Sequence, residues 1–358
     1  MCILGTIVFG SLNSIFTKYQ DMQCVKHCND PLRAVYFDQP VLQTLQMFIG
    51  EMLCWIPFYF MKRNKIINND TVSLLPDITT TKKKPTWKDS IILSIPSTCD
   101  LLGTTLMNIG LIYTPVSIYQ MTRGSVILIV GLFSVIFLKK RITKLEWISL
   151  FIVFSGVFLV GFSGYINDQR NVSVLGDDKQ SLDIIVGMIL IFSGITMTAV
   201  QFVVEEHILT YLDVEPMEVV GYEGTYGTLV TLLGMIIGYL INGRGYFDII
   251  ESFNQMFNNK IILYTSFMIM VSISVFNFCG ITLTYSLSAT SRSTIDTCRT
   301  LLVWIISMII GWESLHLLQL NGFLLLVMGT LAFNGVIEPE NWEFIPLWLK
   351  ELESDVRT

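Results

Sequence analysis

The chain has 358 residues, of which 52% are hydrophobic, 12% are aromatic and only 15% are charged. Soluble domains carry roughly 25% charged residues, so this composition leaves too little polar surface to cover a globule in water. It excludes a large water-soluble domain and indicates an integral membrane protein whose partner is the lipid bilayer. The formal net charge of −6 gives no reason to expect nucleic-acid binding.

Ten apolar stretches of about 20 residues follow one another, each long enough to cross about 30 Å of hydrocarbon. Runs of this length predict helices, because barrel strands would alternate in segments of about 10 residues. The predicted spans are 2–19, 40–61, 89–111, 116–138, 146–164, 183–204, 217–240, 261–283, 289–311 and 316–337. The first has no basic start and no small-residue cleavage site, so we expect it to stay in the protein.

The basic residues lie unevenly between alternate loops. Loops 62–88 and 139–145 and the carboxyl tail hold 13 Lys and Arg residues, whereas the opposite loops hold six. By the positive-inside rule, this bias predicts that both termini are cytosolic. The glycosylation acceptor Asn171-Val-Ser then lies on the luminal side and Asn69-Asp-Thr on the cytosolic side, so only Asn171 is expected to carry a glycan.

A weak internal repeat relates residues 113–156 to residues 285–329. Both stretches have a hinge after a span, a span with an intramembrane Arg, a short connection and a Gly-containing span. Because five spans is an odd number, the second half would enter the membrane in the opposite sense. The predicted fold is all-α and integral to the membrane: ten transmembrane helices as an inverted repeat of two five-helix halves. The halves are 1–164 and 183–337, with a luminal linker 165–182 and a cytosolic tail 338–358. Coincidence among Leu-rich helices is the alternative.

Six charged residues lie deep inside the predicted spans, at least six residues from either end, where a charge costs roughly 2.5–3.5 kcal/mol even on a lenient scale. They are Glu51, Asp100, Arg123, Glu223, Asp296 and Arg299. The two arginines can neutralise at most two of the four carboxylates. The others must bind a proton, a ligand or water, which makes each a candidate for proton coupling.

Arg123 and Arg299 are the sharpest candidates for substrate binding. A guanidinium stays charged and presents a planar fork of donors that suits a carboxylate or a phosphate. The two could therefore bind an anionic group. The alternative is structural, with Arg123 paired to Asp100 and Arg299 paired to Asp296 at the i,i+3 spacing.

Two further groups of residues receive structural interpretations from their sequence context. Glu205 and Glu206 stand at the end of the sixth span, which favours a solvated helix end. Gly234 and Gly238 have the spacing of a close-packing motif between helices.

Cys24 and Cys28 form the one close cysteine pair, in a predicted luminal loop. An oxidising lumen would permit a disulfide between them, free thiols are the alternative, and metal binding is a third. The sequence has no nucleotide-binding loop, metal-protease motif or nucleophile elbow. We therefore expect no cofactor, no bound metal and no enzymatic activity.

Several segments resemble the drug/metabolite transporter superfamily and, within it, solute carrier family 35. They are 47–51, 100–107, 119–125, 204–206, 221–224, 277–280, 287–292, 296–300 and 311–313. The resemblance extends over almost the whole chain. It implies the ten-helix, EamA-like fold and a cavity that faces one side of the membrane at a time. It also implies a lysosomal or Golgi-like membrane, with a mitochondrial one as the alternative.

The resulting hypothesis is a secondary-active carrier of a small anionic or zwitterionic metabolite, as in nucleotide-sugar transporters. Arg123 and Arg299 would bind the anion, while Asp100, Glu51, Glu223 and Asp296 would balance them or carry protons. Four polar residues would shape the cavity: Tyr119, Gln120, Tyr222 and Asn277. The main rival is a receptor or scaffold that has kept the fold but lost transport; a membrane enzyme is the second.

Overall fold

The computed structural model describes residues 1–28, 35–69, 91–114, 119, 122–139, 143–172, 179–242, 248–311, 317–333 and 335. The predicted site residue Gln120 lies outside these ranges. Almost all of the described residues are helical, as the ten apolar stretches predict. The helices are α1 (Cys2–Asp21), α2 (Pro40–Met52), α3 (Trp55–Asn69), α4 (Ser94–Tyr113), α5 (Val126–Phe137), α6 (Lys144–Val172), α7 (Lys179–Tyr211), α8 (Pro216–Asn242), α9 (Ile249–Asn258), α10 (Lys260–Ser286), α11 (Ala289–Ile310) and α12 (Leu317–Phe333).

Five stretches of the described chain are long and apolar enough to cross a membrane. They are Pro40–Arg63, Ile185–Tyr211, Pro216–Ile241, Lys260–Ser286 and Ala289–Ile310. The chain is therefore a membrane protein with several spanning helices. The ten-span inverted repeat remains a prediction.

The second predicted span is not one uninterrupted helix. It divides into α2 and α3 at Leu53 and Cys54, where the amide of Cys54 donates to the carbonyl of Glu51 at 2.9 Å. This bond spans three residues, so the last turn of α2 tightens in the manner of a 3₁₀ turn. The interruption places Glu51 directly before a break in a membrane helix.

The contacts divide the chain into two compact units. The first unit comprises Met1–Leu101 and Val204–Ser286, and the second comprises Leu102–Val203 and Leu287–Thr358. Each unit thus combines a segment from the first predicted half with a segment from the second. Helices α4 and α7 contribute residues to both units.

In the first unit, α10 packs along α1 and also against α2 and α8. Its apolar residues form two groups. One contains Phe37, Leu42, Leu45, Met235, Met256 and Ile262, and the other contains Cys54, Leu93, Ile208, Leu209, Leu212, Val214, Val219, Val220 and Ile281. Residues 24–26 and 35–36 form a short antiparallel hairpin, β1 and β2, and the Cys24 and Cys28 sulfurs are joined in a disulfide beside it.

In the second unit, glycines bring helix backbones into direct contact. A Cβ atom at Gly194 of α7 would lie 2.7 Å from the carbonyl oxygen of Gly103 of α4, and one at Gly103 would lie 3.0 Å from the carbonyl oxygen of Gly194. The α6–α12 contact is built similarly, since a Cβ at Gly156 would lie 2.6 Å from the carbonyl oxygen of Gly322. Small residues at such crossings permit the close approach that stabilises helix pairs in lipid.

Gly234 behaves differently from these glycines. A Cβ atom added there would meet no atom of the described chain within 4 Å. The prediction of a close-packing motif at Gly234 is therefore wrong for contacts within this chain. The i,i+4 glycine spacing did not reveal which side of the helix faces a neighbour.

Candidate functional site

Helix α11 carries three charged side chains on one face in the second unit. The helix begins at Ser288, whose Oγ accepts a hydrogen bond from the amide of Ser291 at 3.2 Å, a standard N-cap. Arg292, Asp296 and Arg299 follow at spacings of four and three residues, so they share one side of the helix. Their exposed fractions are only 3%, 5% and 2%.

Asp296 and Arg299 form a direct ion pair, with Arg299 Nε donating to Asp296 Oδ1 at 2.7 Å. Arg123, which is half-buried, lies close enough to interact with both charges. Arg292 also interacts with the Asp296 carboxylate. Three guanidinium groups thus act electrostatically on one carboxylate, and these four side chains have a formal charge of +2.

Arg292 is the site residue that the sequence analysis missed. Its guanidinium carbon lies 4.1 Å above the centre of the Phe202 ring, in cation–π geometry. The signal was present, because Arg292 lies four residues before Asp296 and seven before Arg299. It was overlooked because position 292 falls near the start of a predicted span, where a charge costs less than it does at the centre.

Hydroxyl groups accompany Arg123 on both sides in sequence. Thr122 and Ser125 are 1% and 0% exposed, and their hydroxyl oxygens have no hydrogen-bond partner within the described ranges. A buried polar group without a partner costs free energy, so these hydroxyls would gain from a polar ligand. Thr297 of α11 donates to the carbonyl of Gly124 at 3.2 Å and fixes this segment against the helix.

Tyr119 belongs to the same unit. It is 7% exposed, packs in the apolar group that includes Phe202 and Ala289, and interacts with the Arg299 charge. The structure therefore brings together four of the predicted residues: Arg123, Arg299, Asp296 and Tyr119.

The first unit holds a second polar group, centred on Glu51. Asn277 Nδ2 of α10 donates a hydrogen bond to Glu51 Oε1, and the two side chains are 8% and 2% exposed. A Cβ atom at Gly224 of α8 would lie 2.7 Å from both the carbonyl carbon and the Cβ of Glu51, so a side chain at Gly224 would collide there. Three helices, α2, α8 and α10, thus meet at this carboxylate.

Glu223 and Tyr222, which precede Gly224 on α8, have different neighbours. Glu223 is 3% exposed, and its backbone carbonyl accepts a hydrogen bond from Ser97 Oγ at 2.9 Å. Tyr222 is half-buried and meets the Trp55 ring edge-on, with the centroids 4.9 Å apart. Trp55 Nε1 donates to the Gly221 carbonyl at 2.9 Å. Tyr222 therefore packs in an aromatic contact on the α3–α8 side.

The expectation of a solvated helix end at Glu205 and Glu206 is wrong. Their exposed fractions are 0% and 8%. Helix α7 continues to Tyr211, beyond the predicted end of the span at 204, so both glutamates lie within the helix instead of at its end. Span prediction from hydropathy stops at charged residues and places this helix end too early.

The remaining predicted residues are placed as follows. Asp100 is half-buried in the first unit, next to Cys99, which interacts with both Asp100 and Glu205. Asn171 lies in the last turn of α6. Among the described residues, no three His, Cys, Asp or Glu side chains are placed to hold a metal ion.

The chain is similar in sequence to several known proteins. Residues 33–217, just over half of the chain, match the family model for nucleotide-sugar transporters. An uncharacterised protein of Schizosaccharomyces pombe is 38% identical over 92% of this chain and 95% of its own length. Human solute carrier family 35 member F6 is 32% identical over 93% of this chain and 88% of its own length.

Two more distant similarities are informative. The bovine UDP-galactose translocator is 34% identical over 74 residues, which are 21% of this chain and 19% of that protein. A solved crystal structure superposes with a TM-score of 0.54 at 12% identity, covering 92% of this chain and 94% of the other, which shows a shared fold.

The full-length similarities and the family match agree with the resemblance seen in the sequence, and that prediction is confirmed. The chain belongs to the nucleotide-sugar transporter family and is a member of solute carrier family 35.

Proposed function

We propose that the chain is a secondary-active transporter of a small anionic or zwitterionic metabolite, which it moves across an endomembrane by alternating access. The observation that carries this proposal is the cluster of Arg123, Arg292 and Arg299 around Asp296. Buried guanidinium groups are suited to phosphate or carboxylate, which they bind with paired, charge-assisted hydrogen bonds. Two of the relatives named above are a solute carrier and a UDP-galactose translocator, which favours transport over enzymatic chemistry.

In this proposal, the Asp296 carboxylate is paired with the Arg299 guanidinium when no solute is bound. An entering anion competes with the carboxylate for the guanidinium, so binding releases one ion pair as it forms another. The exchange keeps the total of buried pairs nearly constant, which lowers the cost of moving between an empty and a loaded state. Thr122, Ser125 and Tyr119 would supply uncharged hydrogen-bond groups to the same ligand.

Glu51, with Glu223 and Asp100, is our candidate for proton coupling. A carboxylate that takes up a proton crosses from charged to neutral inside hydrocarbon, where the charged form is costly. The Asn277 hydrogen bond and the break after α2 support Glu51 as the first of these. Discontinuous helices are common at the binding sites of transporters.

The proposal retains the ten-helix inverted repeat, cytosolic termini, a glycan on Asn171, and a lysosomal or Golgi-like membrane. The basic bias of the loops supports the orientation, and the family supports the membrane location. No cofactor, metal or covalent step is required.

A thermal-shift comparison tests the binding site. The purified full-length wild type and the variants Arg123→Gln and Arg63→Gln are each melted without ligand and with UDP-galactose, UDP or galactose. Arg63 is an exposed arginine of α3 and serves as a matched control. A ligand that binds only the folded state increases the free energy of unfolding by about 2.7 kcal/mol at 100 times its Kd, and the melting temperature rises accordingly.

We expect at least one of the two anions to raise the melting temperature of the wild type and of Arg63→Gln, but not of Arg123→Gln. Galactose, which has no charge, should have little effect. An equal shift in Arg123→Gln would contradict the proposed role of the cluster. If neither nucleotide shifts the wild type, the panel extends to amino acids, peptides and organic anions, and a shift with neutral solutes alone would refute an anionic substrate.

A further inference from the structure

Helix α9 is a short helix that the sequence analysis did not predict. It begins after Asp248, whose Oδ1 accepts a hydrogen bond from the amide of Glu251 at 3.1 Å. The ten residues Ile249–Asn258 lie between α8, which ends at Asn242, and α10, which begins at Lys260. The helix is too short to cross a membrane, which needs about 20 residues.

One side of α9 packs against the first unit. Ser252 is fully buried and its hydroxyl donates to Gln39 Oε1 at 2.7 Å. Met256, one turn later, is buried in the apolar group with Phe37 and Leu42, and its sulfur accepts a hydrogen bond from Gln46 Nε2 at 3.4 Å. These contacts fix the rotation of α9 about its axis, and therefore fix which residues face outward.

The outward side of α9 is divided lengthwise into an apolar edge and a polar edge. Ile250 and Phe257 are 65% and 62% exposed and lie seven residues apart, which places them on the same line along the helix. Asn254, which is also exposed, follows Ile250 by one turn and lies at the middle of the outward side, whereas the exposed Asn258 lies on the opposite edge. That edge continues to Glu251, whose carboxylate pairs with Lys26 Nζ of the β1–β2 hairpin at 2.7 Å.

The apolar edge is close in sequence to exposed apolar side chains at the ends of the two neighbouring helices. Leu240 and Ile241, at the end of α8, are 76% and 80% exposed, and Tyr264, in the second turn of α10, is 63% exposed. Both helices are long and apolar enough to cross a membrane, and α9 is the link between them. The two ends that α9 connects therefore meet the same membrane face.

We propose that α9 is an interfacial helix, with Ile250 and Phe257 inserted at the boundary between lipid headgroups and acyl chains. The partner of this surface is the bilayer itself. Amphipathic helices bind at this depth through one apolar edge while their polar edge stays in water. Asn258 and the Lys26–Glu251 pair would then face the lumen, and the helix would hold the hairpin at the membrane surface.

Two neighbouring positions of α9 provide the test. A small fluorescent amino acid is introduced by stop-codon suppression at position 257 or at position 258, in full-length protein reconstituted into phosphatidylcholine vesicles. The two side chains point about 100° apart on the helix. Quenching is measured with doxyl-labelled phosphatidylcholine in the bilayer and with iodide in the water.

We expect lipid quenching at position 257 to exceed that at 258 by roughly threefold, and iodide quenching to show the reverse order. Equal quenching at the two positions, or strong iodide quenching at 257, would overturn the proposal. Weak quenching of 257 by both agents would also overturn it, because a second protein surface would then cover the residue. Size-exclusion elution and melting temperature of both labelled proteins verify that the fold is intact.

Discussion

The two units bury opposite kinds of charge. Within the described residues, the first unit buries Glu51, Glu205, Glu206 and Glu223 and no Lys or Arg, whereas the second buries Arg292 and Arg299 with Asp296. A carboxylate can lose its charge by binding a proton, but a guanidinium remains charged at any physiological pH. The comparison suggests two tasks, proton binding in the first unit and anion binding in the second. Substitutions in both units test that division.

Arg299→Gln should have the largest effect on stability. It leaves the Asp296 carboxylate buried without the guanidinium 2.7 Å away, and breaking a buried pair costs about 3–5 kcal/mol. Thermal melts of the purified protein measure this loss. The double variant Asp296→Asn with Arg299→Gln should recover part of this stability, because the ion pair is removed as a whole while Arg123 and Arg292 lose the Asp296 carboxylate.

The same double variant separates a carrier from a scaffold. If the chain is a carrier, the double variant should be inactive in vesicle uptake although it is stable. A scaffold would show no uptake even as wild type, and its phenotype in cells would survive the double substitution. Full uptake by the double variant would contradict anion binding by the second unit.

Gly194→Leu should destabilise the second unit by about 1–3 kcal/mol, the usual cost of overpacking. The new side chain would meet the Gly103 carbonyl oxygen and Met107 of α4. Gly234→Leu, in the first unit, is the matched control, since a Cβ there contacts nothing within 4 Å. Melting temperatures of the two variants should differ clearly, and equal values would argue against the α4–α7 contact.

The sequence alone predicts the positions of most helices but not where they are interrupted. Apolar runs located the helices, and the i,i+3 spacing identified Asp296 and Arg299 as partners. Hydropathy could not show the break at Leu53 and Cys54, because it averages over a whole span and the residues on both sides are apolar. Hydropathy also missed α9, because this helix has only ten residues and combines an apolar side with a polar side, so its mean hydropathy is modest.

The candidate site was predicted in part. Burial of charge pointed to Glu51, Arg123 and Arg299, since a charge in a span needs a reason. The hydrogen bond from Asn277 to Glu51 joins residues 226 positions apart, and no local pattern predicts such a pairing. Glu205 was misjudged because its burial depends on helices that are distant in sequence.

Glu51→Gln should change stability by only about 1 kcal/mol, the net worth of one hydrogen bond. The glutamine carbonyl can still accept from Asn277 Nδ2, but it cannot take up or release a proton. We therefore expect uptake by vesicles to lose its dependence on a pH gradient, while anion-induced stabilisation of the protein persists. Unchanged pH dependence would exclude Glu51 as the proton carrier.

The smallest effect is expected at the exposed pair of Lys26 and Glu251. The Lys26 ammonium lowers the pKa of the Glu251 carboxyl below its usual range. The pair therefore stabilises the fold above the unfolded pKa of about 4.3, and this contribution is lost as the pH falls through the folded pKa. Because both side chains are partly exposed, Glu251→Gln should cost at most about 1 kcal/mol at pH 7. The melting-temperature difference from wild type should vanish in acid, and a difference that grew in acid would contradict this pairing.

The central claim is that the arginine cluster of the second unit binds the transported anion. Its most direct test is the uptake of a radiolabelled anion, selected as the strongest thermal-shift ligand, into vesicles that contain wild type, Arg123→Gln or Arg63→Gln. We expect saturable uptake by wild type and by Arg63→Gln. Folded and correctly reconstituted Arg123→Gln should show no uptake above that of empty vesicles. Uptake by Arg123→Gln at the wild-type rate and KM would contradict this claim.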